Sequence, residues 1–170
     1  PPEFLLTHPV TSSRVSDALN AADQIEFSGG KKNTINFEFV KGRLKARYAS
    51  SSPQASIRFF EQLSADSPNN ENKYAYLMAL QATGNSEKAL LIVNELLGRY
   101  PKNLILNITK AEIYLLDQKL EKAKLQIEAV LKISPGNYPA SIIKSNILSA
   151  QNKTIQAEEI VRELLITKNN

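Results

Sequence analysis

Three prolines separated by one repeat length constrain the fold of this chain more than any other feature. Pro68, Pro101 and Pro135 lie 33 and 34 residues apart, and each follows a stretch whose apolar residues have helical spacing. Units aligned on these prolines share an alanine at one position: Ala89, Ala123 and Ala157. A small residue at that position allows two helices to cross closely. The sequence therefore predicts a repeated pair of helices.

The repeat predicts three units, 70–101, 104–135 and 138–169, each with two helices. The first helices are predicted at 72–83, 104–116 and 139–150, and the second helices at 86–99, 120–133 and 154–167. The turns between them fall at Gly84-Asn85, Asp117-Gln118 and Gln151-Asn152, where glycine or a polar residue can leave the helical conformation. We expect an all-α domain.

The segment ahead of these units is less regular. A degenerate fourth unit is predicted at 37–68, with helices at 37–48 and 54–65, the second of them started by Pro53. An amphipathic helix is predicted at 13–25, followed by a Gly-Gly-Lys-Lys-Asn linker at 29–33. The predicted organisation is therefore a leading region, 1–33, and a repeat domain, 34–170.

The composition limits the classes of function. The net charge of +4 comes from 21 basic and 17 acidic residues that are scattered along the chain, which argues against nucleic-acid binding. Cysteine is absent, so disulfides and thiolate chemistry are excluded. No apolar run approaches the ~20 residues that cross a bilayer, so we expect a soluble chain. The N-terminus lacks a signal-peptide pattern, so any secretion signal is expected to have been removed or to lie upstream.

The repeat resembles the tetratricopeptide family. In the middle unit, Ala111, Tyr114, Ala123 and Pro135 stand at family positions, and the preceding unit matches at Gly84, Ala89 and Pro101. The family's aromatic residue near the start of the first helix is missing, and the third unit ends in Asn169 instead of proline. The resemblance implies a right-handed superhelix of antiparallel helix pairs that binds proteins or peptides.

The same resemblance implies a concave groove lined by the first helix of each unit. The residues expected to bind a partner there are Tyr74, Met78, Gln81, Ile105, Ile108, Glu112, Leu115, Ile142 and Asn146. Their mainly apolar composition suits an extended peptide or an amphipathic helix. The alternative is that a neighbouring helix or another domain covers some of these residues.

A second candidate surface is a basic patch in the first predicted helix of the degenerate unit. Lys41, Arg43, Lys45 and Arg47 place four positive charges within eight residues, with pairs spaced by four positions on one helix. This patch would suit an acidic partner. A solvated helix face is the simpler interpretation.

A short N-terminal stretch resembles a different family. Thr7-His8-Pro9, followed by Arg14-Val15, is similar to the end of the catalytic domain in membrane-associated and periplasmic zinc metallopeptidases. In BepA-like members, a catalytic domain with a His-Glu-x-x-His motif precedes a C-terminal tetratricopeptide domain. The resemblance implies that this chain is such a C-terminal part, located in the periplasm and engaged in the assembly or quality control of outer-membrane proteins.

No complete catalytic site is evident in the chain itself. His8 is the only histidine, so a His-Glu-x-x-His zinc site cannot form, and we expect no catalytic residue and no bound cofactor. The family resemblance implies that His8 can approach the zinc of an absent catalytic domain as an extra ligand; otherwise it anchors an extended strip through hydrogen bonds. Two alternatives remain, a free-standing tetratricopeptide adaptor in the cytoplasm or periplasm, and an unrecognised carboxylate-based hydrolase.

Overall fold

The computed structural model describes residues 34–48 and 52–168, all within the unit Asn33–Asn170. These residues form eight helices and no strand: α1 (Ile35–Tyr48), α2 (Pro53–Asp66), α3 (Asn70–Ala82), α4 (Ser86–Arg99), α5 (Leu104–Leu116), α6 (Leu120–Ile133), α7 (Tyr138–Ala150) and α8 (Thr154–Lys168). The all-α prediction is confirmed for this part of the chain, with helix ends within two residues of those predicted. The helix predicted at 13–25 and the linker at 29–33 lie outside the described residues.

Each of the helices α3, α5 and α7 begins at an asparagine. The side chains of Asn69, Asn103 and Asn137 accept hydrogen bonds from backbone N–H groups three residues later, at distances of 2.8, 3.1 and 3.1 Å. Each bond satisfies one of the donors left free at a helix N-terminus and is worth about 1 kcal/mol. The caps follow the 34-residue period, which explains why these helices begin at equivalent positions.

The turns that join α3 to α4, α5 to α6 and α7 to α8 also follow the period. Gly84, Gln118 and Asn152 have positive φ angles of 72°, 56° and 61°. This left-handed conformation ends the first helix of each pair. The turns lie where the sequence predicts them.

Consecutive helices from α3 to α8 pack against each other. One core cluster joins α3, α4 and α5, and a second joins α5, α6 and α7. The repeated alanines Ala89, Ala123 and Ala157 are all buried. Side chains such as Leu96 and Ile127 are fully buried, and each gains about 1.5–3 kcal/mol from burial. The arrangement is a stack of helix pairs, and its right-handed superhelical form stays a prediction.

The first two helices are organised differently from the later pairs. Both α1 and α2 make their main contacts with α3. Phe39 of α1 joins the core cluster of α3, α4 and α5, whereas Phe60 of α2 packs with Ala75 and Ala79 of α3. Ala46 of α1 also lies beside the Phe60 cluster, so both helices pack on the surface of α3. The assignment of 37–68 as a repeat unit stays a prediction.

Candidate binding surface

Helix α1 lies close against α3. A Cβ atom placed on Gly42 would come within 2.5 Å of the backbone oxygen of Glu71 and 3.2 Å of the backbone nitrogen of Ala75. The ring of Phe39 lies 5.1 Å from that of Tyr74 between centroids, and both side chains are fully buried. Part of the groove predicted along the first helices is therefore covered by a neighbouring helix of the same chain.

Arg43 connects α1 to both α3 and α5. Its Nη2 atom donates to the Tyr74 hydroxyl at 3.1 Å and to Thr109 Oγ1 at 3.4 Å, and it lies 3.6 Å from Glu112 Oε2. Tyr74 and Thr109 also share a 2.7 Å hydrogen bond. Burial lowers the pKa of Arg43, but Tyr74 and Glu112 outweigh it and leave the pKa raised. Burial raises the pKa of Tyr74, so its hydroxyl stays protonated.

Two lysines of α1 share one carboxylate of α3. Lys41 Nζ lies 2.8 Å from Glu71 Oε2, and Lys45 forms an ion pair with the other carboxylate oxygen. Burial raises the pKa of Glu71, but the hydrogen bonds from both lysines outweigh it and hold the pKa below its usual value. Three members of the predicted basic patch, Lys41, Arg43 and Lys45, therefore pair with acidic groups inside the chain.

The outward face of α1 is apolar. Phe37, Val40, Leu44 and Tyr48, which we call the outer stripe, share one helix face and are between 46% and 77% exposed. The polar contacts of α1 to neighbouring helices lie to the sides of this stripe, and include a 2.9 Å hydrogen bond from Asn70 to Glu38 and a 2.7 Å bond from Asn103 to Asn36. Helix α1 is thus attached both by Phe39, which is buried in the core, and by polar groups beside it.

The residues predicted to line the groove differ widely in exposure. Tyr74 is fully buried and Ile108 is 6% exposed, so neither offers a surface to a partner. Asn146 is exposed. The partly buried members are Met78, Gln81, Ile105, Glu112, Leu115 and Ile142. Gln81 donates to Glu112 at 3.3 Å, which links α3 to α5.

A pocket opens between α1, α2 and α3. It has a volume of about 440 Å³ and is lined by Arg43, Ala46, Arg47, Pro53, Ser56, Met78, Ala79 and Ala82. The basic patch and the groove, which the sequence predicts as separate features, meet here through Arg47 and Met78. The three lining alanines were not predicted, because no sequence pattern separates an alanine beside an opening from one in the core.

Part of the chain is similar to a protease. Over 106 residues, it is 28% identical to the beta-barrel assembly-enhancing protease of Yersinia pestis. The match covers 61% of this chain and 22% of that protein, so it spans about a fifth of the relative's length. No family model matches the sequence, and no solved structure matches it significantly.

The described residues contain no group of three or more histidine, aspartate or glutamate side chains placed to hold a metal ion. His8, the proposed extra zinc ligand, lies outside these residues. Within 34–48 and 52–168, no helix is both long enough and apolar enough to cross a bilayer.

Proposed function

We propose that this chain is a non-catalytic, protein-binding helical module from a protein that takes part in outer-membrane protein assembly or quality control. The observation that carries the proposal is the 106-residue similarity to a protease named for enhancing beta-barrel assembly. A stack of helix pairs suits this role, because it presents an extended surface on a rigid scaffold.

We further propose that the chain is the C-terminal part of a tetratricopeptide-containing zinc metallopeptidase of the periplasm. The Thr7-His8-Pro9 resemblance supports this proposal, together with the order of the two sequence resemblances along the chain. In this view, zinc and the catalytic residues belong to a domain that precedes the module. The partners are proteins or peptides, among them outer-membrane proteins or their assembly machinery.

Affinity capture from a bacterial envelope extract tests the proposal. The 170-residue chain is immobilised, and the captured proteins are identified by mass spectrometry. The matched control is Leu96→Asp, because a carboxylate at this fully buried position prevents normal packing. Tyr74 and Ile108 are unsuitable for surface variants because both are buried.

We expect the folded chain, and not the control, to enrich beta-barrel outer-membrane proteins, components that assemble them, or a metallopeptidase domain. Equal capture by the chain and its control would contradict the proposal. Fold-dependent capture of cytosolic proteins alone, from a whole-cell lysate, would favour the free-standing adaptor.

A further inference from the structure

The pocket between α1, α2 and α3 combines an apolar floor with a positively charged wall. Met78, Ala79 and Ala82 of α3 form the floor, and Ala46 of α1 adds a small side chain beside them. The alanines leave space that larger side chains would fill. A volume of about 440 Å³ holds one or two large side chains.

Arg47 is the arginine of the pocket wall that can pair with a ligand. It is exposed, and within the described residues it has neither an ion-pair partner nor a hydrogen-bond partner. Arg43, one helical turn earlier, also lines the pocket, but it already contacts Tyr74, Thr109 and Glu112. A ligand carboxylate would therefore pair with Arg47, and Arg43 would add to the positive potential.

We infer that this pocket binds an extended peptide segment in which a large apolar residue is followed by an acidic one. The apolar side chain occupies the space over Met78, Ala79 and Ala82, and the acidic side chain pairs with Arg47. A short extended segment fits because its residues advance by about 3.3 Å each, so two neighbouring side chains can reach different parts of the lining. This inference rests on the proposed protein-binding function and names the class of peptide recognised.

The one methionine of the chain provides a direct test. Met78 lines the pocket, so a ¹³C-methyl label on methionine gives a single NMR signal inside the site. The probe is the blocked peptide acetyl-Gly-Ser-Leu-Asp-Ser-Gly-amide, titrated into the full chain. We expect a saturable shift of the Met78 signal. Replacing the peptide's aspartate with asparagine should weaken binding roughly fivefold, as loss of an exposed ion pair predicts.

Two protein variants distinguish a direct ion pair with Arg47 from an effect of the protein's net charge. Arg47→Gln should weaken binding of the aspartate peptide roughly fivefold and leave binding of the asparagine peptide unchanged. Arg58→Gln is the matched control, because Arg58 is an exposed arginine of α2 that does not line the pocket. Both positions are exposed, so both variants should fold, which circular dichroism verifies.

The inference is overturned if the Met78 signal does not move, if the two peptides bind equally, or if the two variants have equal effects. The inference is also wrong if a peptide that ends in a leucine with a free carboxylate binds more tightly than the aspartate peptide, because the ligand would then be a chain terminus and not an acidic side chain. If the peptide fails but envelope proteins are captured, the pocket assignment is wrong and the protein-binding function stands. If both experiments fail, neither proposal survives.

Discussion

Gly42 determines how closely α1 can approach α3. The atoms nearest to an added Cβ at this position belong to the backbone of Glu71 and Ala75, which cannot rotate away as a side chain can. Gly98 of α4 provides a contrast, because a Cβ there would have no neighbour within 4 Å. The two glycines therefore differ in what an alanine would do.

We expect Gly42→Ala to destabilise the protein by about 1–3 kcal/mol, because α1 must shift away from α3 to admit the methyl group. Gly98→Ala should stabilise it by less than about 0.5 kcal/mol, because Gly98 lies in the last turn of α4, where the preference for alanine is weaker than in a helix interior. Urea unfolding followed by circular dichroism measures both changes. A stabilising or neutral Gly42→Ala would show that α1 does not lie tightly on α3.

At the scale of helices, the 34-residue period predicted α3 to α8 well, because apolar spacing, turns and helix ends repeat together. The asparagine caps at 69, 103 and 137 follow the same period and could have been found from it. The position of α1 on α3 could not have been predicted from this period. Its exposed residues Phe37, Val40 and Leu44 have the spacing of a buried face, whereas its inner face carries the single large apolar residue Phe39 beside Gly42 and Arg43.

The same difference explains what the sequence revealed of the candidate site. Met78 and Arg47 were singled out separately, and only the placement of α1 brings them together. Tyr74 matches a groove position in the repeat pattern, but α1 packs over it. Local patterns predict which residues form a helix, whereas contacts between helices depend on the whole stack.

The attachment of α1 through Glu71 should depend on pH. Because the pKa of Glu71 is lowered in the folded protein, its contribution is complete above the unfolded pKa of about 4.3 and is lost as the pH falls through the folded pKa. Glu71→Gln should therefore lower stability at pH 7, by up to about 1 kcal/mol for these partly exposed pairs, and have little effect near pH 3.

The midpoints of urea unfolding of the wild-type protein and of Glu71→Gln, each at pH 7 and pH 3, measure this difference in stability. Glu128→Gln is the control, because Glu128 pairs only at 3.9 Å with Lys124 of the same helix, so its effect should be small at both values. An effect of Glu71→Gln that persists unchanged at pH 3 would exclude the ion pairs as its cause.

At the scale of the whole stack, the interior units differ from the last one. Val93 of α4 and Val161 of α8 occupy equivalent positions two repeat lengths apart. Val93 is fully buried, since α5 packs on α4, whereas Val161 is 38% exposed and lines a shallow opening of about 410 Å³ between α7 and α8.

Val93→Ala should lower the free energy of unfolding by about 1–3 kcal/mol, because burial is lost and a cavity remains. Val161→Ala should lower it by less than about 1 kcal/mol. Both variants replace valine with alanine, so a difference between their thermal unfolding temperatures reports only the difference between the two positions. Equal losses would show that α8 is covered in solution, and a dependence on protein concentration would identify a second copy of the chain as the cover.

The ion pairs of α1 make its attachment to the stack sensitive to salt. Added salt screens the exposed ion pairs that attach the inner face of α1 to the stack. Strongly hydrated anions such as sulfate also favour the removal of the outer stripe from water. Sulfate equally favours burial of Phe39 of α1 in the core, so this second effect opposes the loosening that screening causes. Ionic strength should therefore weaken the polar attachment of α1 while its apolar contact through Phe39 persists.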